Sequence, residues 1–142
     1  MLIKIKKLST TAQIPTRGSD EAAGWDLYAD RSAILYPGDT AKISTGISME
    51  IPPGHFGAVY ARSGLAIKHG LRPANCVGII DSDYRGDLIV SLHNDSEKTA
   101  DIHTGDRIAQ LIIQPYVAQQ FIEVDELSST ERGSGALGHT GR

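Results

Sequence analysis

Apolar and polar residues alternate along this chain in short bursts and never settle into a long helical period. The runs IKIKKL (3–8), TAKISTGISMEI (40–51), HFGAVYA (55–61), DLIVSLH (87–93), RIAQLII (107–113) and QFIEV (120–124) have strand length and strand patterning. Between them stand YPGD, IPPGH, YRGD, HNDS and HTGD, rich in the residues that tight turns require. Short strands with turns at this spacing predict an all-β domain, a sandwich or barrel. The one helical stretch, SGLAIKHG (63–70), is long enough for about two turns. From Ser128 onward the apolar pattern is lost. The chain therefore reads as a compact β body over residues 1–127 and an arm over 128–142. An arm without an apolar face stays mobile unless a ligand or another subunit orders it.

Composition narrows the function classes. A chain of 142 residues that is 40% hydrophobic is one globular domain. A formal net charge of −3 gives no overall cationic field for duplex nucleic acid, so direct nucleic-acid binding is not expected. The single cysteine, Cys76, allows no internal disulfide. MLIKIKKL is too short and too charged for a secretory signal, and no apolar stretch approaches membrane-spanning length. A soluble, cytoplasmic protein is expected. The five histidines form no H-x-H or H-x-x-x-H pair, which argues against a zinc site.

Four stretches carry candidate chemistry. Asp81-Ser82-Asp83-Tyr84-Arg85-Gly86-Asp87 holds three carboxylates, and hard oxygen ligands suit Mg²⁺, above all when a phosphate completes the shell. It reads either as a solvated hairpin turn or as the seat of a general base, since Asp81 ends the apolar run CVGII (76–80). Residues 85–87 also spell the integrin-ligand tripeptide RGD, a reading that the missing secretory signal disfavours. Arg62-Ser63-Gly64 stands where a strand gives way to the short helix. It is either an N-cap serine beside a surface arginine or a phosphate-binding corner. Gln110 interrupts the apolar run RIAQLII and needs a polar partner, which backbone could supply. The tail RGSGALGHTGR contains GSGALG, with the G-x-G-x-x-G spacing of dinucleotide loops. Only four residues follow Gly138, so neither the helix nor the acidic residue of that fold has room. The tail is then a frayed terminus or a supple lid carrying Arg132, His139, Thr140 and Arg142.

Singly these signals are weak, but their order is specific. AAGWDL (22–27), RSGLA (62–66), GIIDSDYRG (78–86), GDRIAQL (105–111) and the arm from Arg132 to Gly141 resemble the five ordered motifs of the trimeric deoxyuridine triphosphatases, the dUTPases. The resemblance runs from about residue 17 to the end of the chain. It implies a distorted jelly-roll, barrel-like β domain, a homotrimer with active sites at subunit interfaces, and hydrolysis of dUTP to dUMP and pyrophosphate. That reaction keeps uracil out of DNA and supplies dUMP for thymidylate synthesis.

By the same resemblance, Asp81 orients and deprotonates the attacking water, and Mg²⁺ is held mainly by the substrate phosphates, with Asp26 reaching it through water. Asn75 and the backbone at Gly78, Ile79 and Ile80 form the uracil pocket. Tyr84 lies under the deoxyribose and leaves no space for a 2′-hydroxyl. Arg62, Ser63, Gly64 and Gln110 contact phosphates, and Arg132 and Thr140 close over the β- and γ-phosphates. The arm departs from the usual G-G-F-G-S-T-G of the family: Leu137 stands where an aromatic covers the base, and His139 where serine is usual. A looser lid follows from Leu137, and substrate binding that weakens as pH rises follows from His139. Two rivals remain, a dCTP deaminase on the same fold and a nucleotide-responsive regulator of a partner protein. The IDSDY hairpin favours hydrolysis over the first, and no appended domain supports the second.

Overall fold

Frequent reversals leave the chain little length for helices. The computed structural model describes residues 1–75 and 77–137, which form eleven short strands and one helix. The first half holds β1 (Lys4–Lys7), β2 (Trp25–Tyr28), β3 (Ala33–Leu35), β4 (Thr40–Ser44), β5 (Ile47–Glu50) and β6 (His55–Tyr60). Helix α1 (Ser63–His69) precedes β7 (Leu71–Pro73), β8 (Gly78–Ile80), β9 (Ile89–Asn94), β10 (Ala100–Ile102) and β11 (Arg107–Pro115). The strands pair antiparallel, as short turn-linked segments can. They form a sheet β2-β11-β6-β8, a sheet β4-β9-β7 and two ribbons, β1-β5 and β10-β3. The all-β single domain expected from the patterning is the fold observed.

Alternation explains which side chains reach the core. In β9, Val90, Leu92 and Asn94 point inward, while Ile89 is exposed and Ser91 and His93 are partly covered. In β11 both Ile108 and Ala109 are fully buried, which strict alternation forbids; a register shift between Arg107 and Ala109 against β2 allows it. The core gathers Leu27, Leu35, Ile43, Ile47, Leu92 and Ile108 between the sheets. Helix α1 has the expected extent, and Gly70 closes it in the left-handed region (φ 65°), its N–H turned back to the Leu65 and Ala66 carbonyls.

Five of the six apolar runs are strands or strand pairs. QFIEV is not: Phe121 and Ile122 are 91% and 82% exposed, and no strand follows Pro115 among the described residues. A strand needs a ladder partner, and this segment has none among the described residues. No helix among the described residues is long and apolar enough to cross a membrane.

Beyond Asn94 the HNDS turn is fastened by polar contacts. The Arg72 guanidinium beside Asp95 holds that carboxyl below its usual pKa, with His93 adding to the pull.

Candidate active site

Two clusters of polar side chains come together on this framework. The first is built on the four-stranded sheet, where the register sets Gln110 of β11 opposite Asp26 of β2 on one side and Tyr60 of β6 on the other. Arg62 follows β6 by two residues and returns to Asp26, Nε to Oδ1, at 2.7 Å. Arg107 reaches the other carboxylate oxygen at 3.4 Å, and its carbonyl accepts from Arg62 Nη1 at 3.4 Å. Both oxygens of Asp26, whose side chain is only 14% exposed, are thus turned to guanidinium groups. Gln110 donates from Nε2 to the Ala61 carbonyl at 2.8 Å. The polar partner Gln110 needs is therefore backbone. Gly24 makes room for it, since a Cβ there would lie 2.2 Å from Gln110 Oε1. Arg62 is the N-cap residue of α1, so Ser63 is its first helical residue rather than its cap. Ser63 and Gly64 are both exposed at this corner.

The second cluster is the hairpin after β8. Gly78 packs against β6, where a Cβ would lie 3.1 Å from the Asn75 amide nitrogen and 3.2 Å from Val59 Cβ. Period-two alternation puts Ile79 and Asp81 on one face, and that face is open. Burial around Asp81, suggested by the apolar run before it, is therefore not found: β8 is an edge strand covered on one side only. Asp81 lines a cleft of about 590 Å³ with His55, Phe56, Ile79 and Tyr116. It also lines a smaller one of about 170 Å³ with Ile79, Ile80, Tyr84, Asp87 and Ile89. The turn is closed by Tyr84 N–H donating to the Asp81 carbonyl at 3.2 Å. Arg85 Nη1 folds back to the Ser82 and Tyr84 carbonyls at 2.7 and 2.9 Å, and Asp87 Oδ1 accepts from Gly46 N–H at 3.1 Å. The charged ends of the RGD tripeptide are thus engaged with this chain's own backbone.

The two clusters face different cavities. Arg62 and Arg107 open onto a cleft of about 1010 Å³ beside α1, which Asp81 does not line. The described part of the arm, up to Leu137, joins neither cluster: Arg132 donates to the Gly135 carbonyl at 2.8 Å, and Leu137 is fully exposed. His139 and Thr140 lie outside the described residues. Sequence reading missed Arg107 as a second partner of Asp26, and missed His55 and Tyr116 on the cleft beside Asp81. The separations involved, up to 81 residues, leave no local signal.

The family model for dUTPase matches residues 10–141. The chain belongs to the dUTPase family. The deoxyuridine 5'-triphosphate nucleotidohydrolase of Nautilia profundicola is 47% identical over 142 residues, all of both chains. That of Candida albicans is 44% identical, covering 99% of this chain and 88% of its own. Among solved structures, the dUTPase of Staphylococcus bacteriophage 80alpha with dUPNHPP superposes with a TM-score of 0.91. It is 28% identical, with 99% of each chain covered. A dUTPase from phage phi11 of S. aureus, 26% identical with a TM-score of 0.84, covers 91% of this chain and all of its own. Its structure reveals the coordination of a structural Mg(II) ion.

Proposed function

We propose that this dUTPase hydrolyses dUTP to dUMP and pyrophosphate in the cytoplasm, as a homotrimer in which residues 1–127 form the β domain and 128–142 an arm closing over the site. The observation that carries the reading is the hairpin from Gly78 to Asp87. It presents Asp81 at the open end of an edge strand, beside a small cleft bounded by Ile80 and Tyr84. A carboxylate in that position takes a proton from water as the water oxygen attacks the α-phosphorus. The bond from that phosphorus to the α,β-bridging oxygen breaks, and pyrophosphate leaves. Positioning and charge neutralisation carry most of such a reaction. Arg62, Ser63, Gly64 and Gln110 supply donors for the phosphates, while Arg132, His139 and Thr140 of the arm close over them. Asn75, Gly78, Ile79 and Ile80 hold the uracil.

A homotrimer is supported by the separation of the two clusters. Asp81 and Arg62 line different clefts of one chain, an arrangement that suits a second copy bringing its phosphate corner to the hairpin. The exposed Ile79, Phe121, Ile122, Val124 and Leu127 supply apolar surface for that contact.

The donor set fits a metal that arrives on the triphosphate. No group of three or more His, Cys, Asp or Glu able to cage an ion occurs among the described residues. The Asp26 carboxylate, whose oxygens already face two guanidinium groups, would meet such an ion through water. Mg²⁺ so carried neutralises phosphate charge.

Pyrophosphate release from dUTP, dTTP, dCTP and UTP, with and without Mg²⁺, tests the proposal. Selective, Mg²⁺-stimulated release from dUTP is expected. Equal rates on the four nucleotides would overturn it, and ammonia release from dCTP would point to a deaminase. Leu137 gives a second expectation. Stacking on a base is worth about 1–3 kcal/mol, so Leu137→Phe should lower KM for dUTP by about tenfold. An unchanged KM would show that the arm does not use this contact.

A further inference from the structure

Sugar selection, in the reading above, falls to the ring of Tyr84. A floor excludes a 2′-hydroxyl only if it cannot sink, so what lies beneath the ring matters as much as the ring. The hydroxyl end of the ring packs against Gly86. A Cβ on Gly86 would lie 2.3 Å from Tyr84 Oη, 2.5 Å from Cζ and 2.9 Å from Cε2. The phenol end of the ring therefore lies directly against main chain, at a position where any other side chain would take its space. Its hydroxyl donates to the Asp87 carbonyl at 2.9 Å, which fixes its far end.

The main chain against the ring is itself anchored. The Asp87 carboxylate accepts from Gly46 N–H at 3.1 Å, at the left-handed turn between β4 and β5 (φ 65°). Leu88 N–H donates to the Ile47 carbonyl at 2.9 Å, and the Leu88 carbonyl accepts from Thr45 N–H at 3.1 Å and from Thr45 Oγ1 at 2.6 Å. On the other side of Gly86, Ser48 Oγ donates to the Arg85 carbonyl at 2.6 Å. Thr45, Ile47 and Ser48 are all buried. The hairpin that carries Tyr84 is thus tied on both sides of Gly86 to one rigid corner of the core.

We propose that Gly86 and Asp87 are positioning residues for the choice of deoxyribose over ribose. Gly86 lets the Tyr84 ring settle onto the backbone, and Asp87 holds that backbone to the β4–β5 corner, so the floor has one height and no give. Asp87 borders the small cleft, but its carboxylate is committed to Gly46; it acts on the sugar through Tyr84. The inference rests on the reading of the site as a dUTP hydrolase.

The test is the ratio of kcat/KM for dUTP to that for UTP, because a smaller folded fraction lowers both and leaves their ratio unchanged. Gly86→Ala should reduce the ratio by about tenfold or more, mainly by raising KM for dUTP, since a methyl there pushes the phenol end off its bond to the Asp87 carbonyl and leaves the ring free to tilt away from the sugar. Asp87→Ala should reduce it by about three- to tenfold, and Asp87→Asn, whose amide oxygen still accepts from Gly46, should restore it. If Gly86→Ala does not fold, the two Asp87 variants decide. A selective parent whose variants all keep its ratio overturns this proposal alone. A parent that releases no pyrophosphate from dUTP overturns the underlying reading and this proposal with it.

Discussion

Asp81→Asn is expected to lower kcat for pyrophosphate release from dUTP by about 10³-fold, within the range for loss of a general base, while KM for dUTP changes little. The amide keeps the size and one acceptor oxygen of the carboxylate but cannot take a proton from water at neutral pH. Asp81 is exposed at the open end of β8 and is not a holding point of the fold, so the variant should melt with the parent. Single-turnover rates beside a dUTP-analogue titration separate the two effects. A variant that binds the analogue normally and still hydrolyses at the parental rate would remove Asp81 from the chemistry.

A second large effect is expected far from the site. Asn94 is completely buried, and its side chain makes four hydrogen bonds. Nδ2 donates to the Leu35 carbonyl at 3.0 Å and to the Lys98 carbonyl at 2.8 Å. Oδ1 accepts from Ser96 N–H at 2.9 Å and from Ser96 Oγ at 2.8 Å. One amide therefore joins β3, the end of β9 and the turn that leads to β10. Asn94→Leu keeps the volume but strips a partner from the buried Leu35 carbonyl, at about 1–3 kcal/mol, and from part-buried groups of Ser96 and Lys98 at less each. A loss of about 3–5 kcal/mol is expected, measurable as a lower denaturation midpoint at unchanged m-value. A midpoint within experimental error of the parent would show that water replaces those bonds at no cost.

Both residues show what could be read from the chain in advance. Asp81 stood out because a carboxylate closes an apolar run, and the five ordered motifs supplied its role. The run suggested burial, however, and the structure places Asp81 on an open face, because β8 pairs with β6 along one edge only. Asn94 was legible as part of a turn, HNDS. Its placement opposite Leu35, 59 residues earlier, depends on tertiary pairing that no local pattern records. The same holds for Asp26, whose two arginine partners lie 36 and 81 residues away. Strands β2, β3, β7 and β10 have three or four residues each, too few for alternation to rise above chance. Helix α1 was legible in full, since Gly70 punctuates it in the sequence and caps it in the structure. QFIEV read as a strand because its composition is that of one; what it lacks is a partner among the described residues.

The strand pairings also set an order on how the chain matures. Leu35 of β3 has its partner at Ala100 of β10, and Trp25 of β2 has its partner at Leu111 of β11. As the polypeptide leaves the ribosome, its first third is therefore made long before the strands that complete its sheets. Closing such long loops costs entropy before any contact repays it, which slows folding and leaves edges unpaired meanwhile. At synthesis rates of about 5–20 residues per second, β2 waits some seconds for β11 to emerge. Strands β2 and β3 therefore stand without their partners in the nascent chain, the kind of unpaired edge that a chaperone shelters.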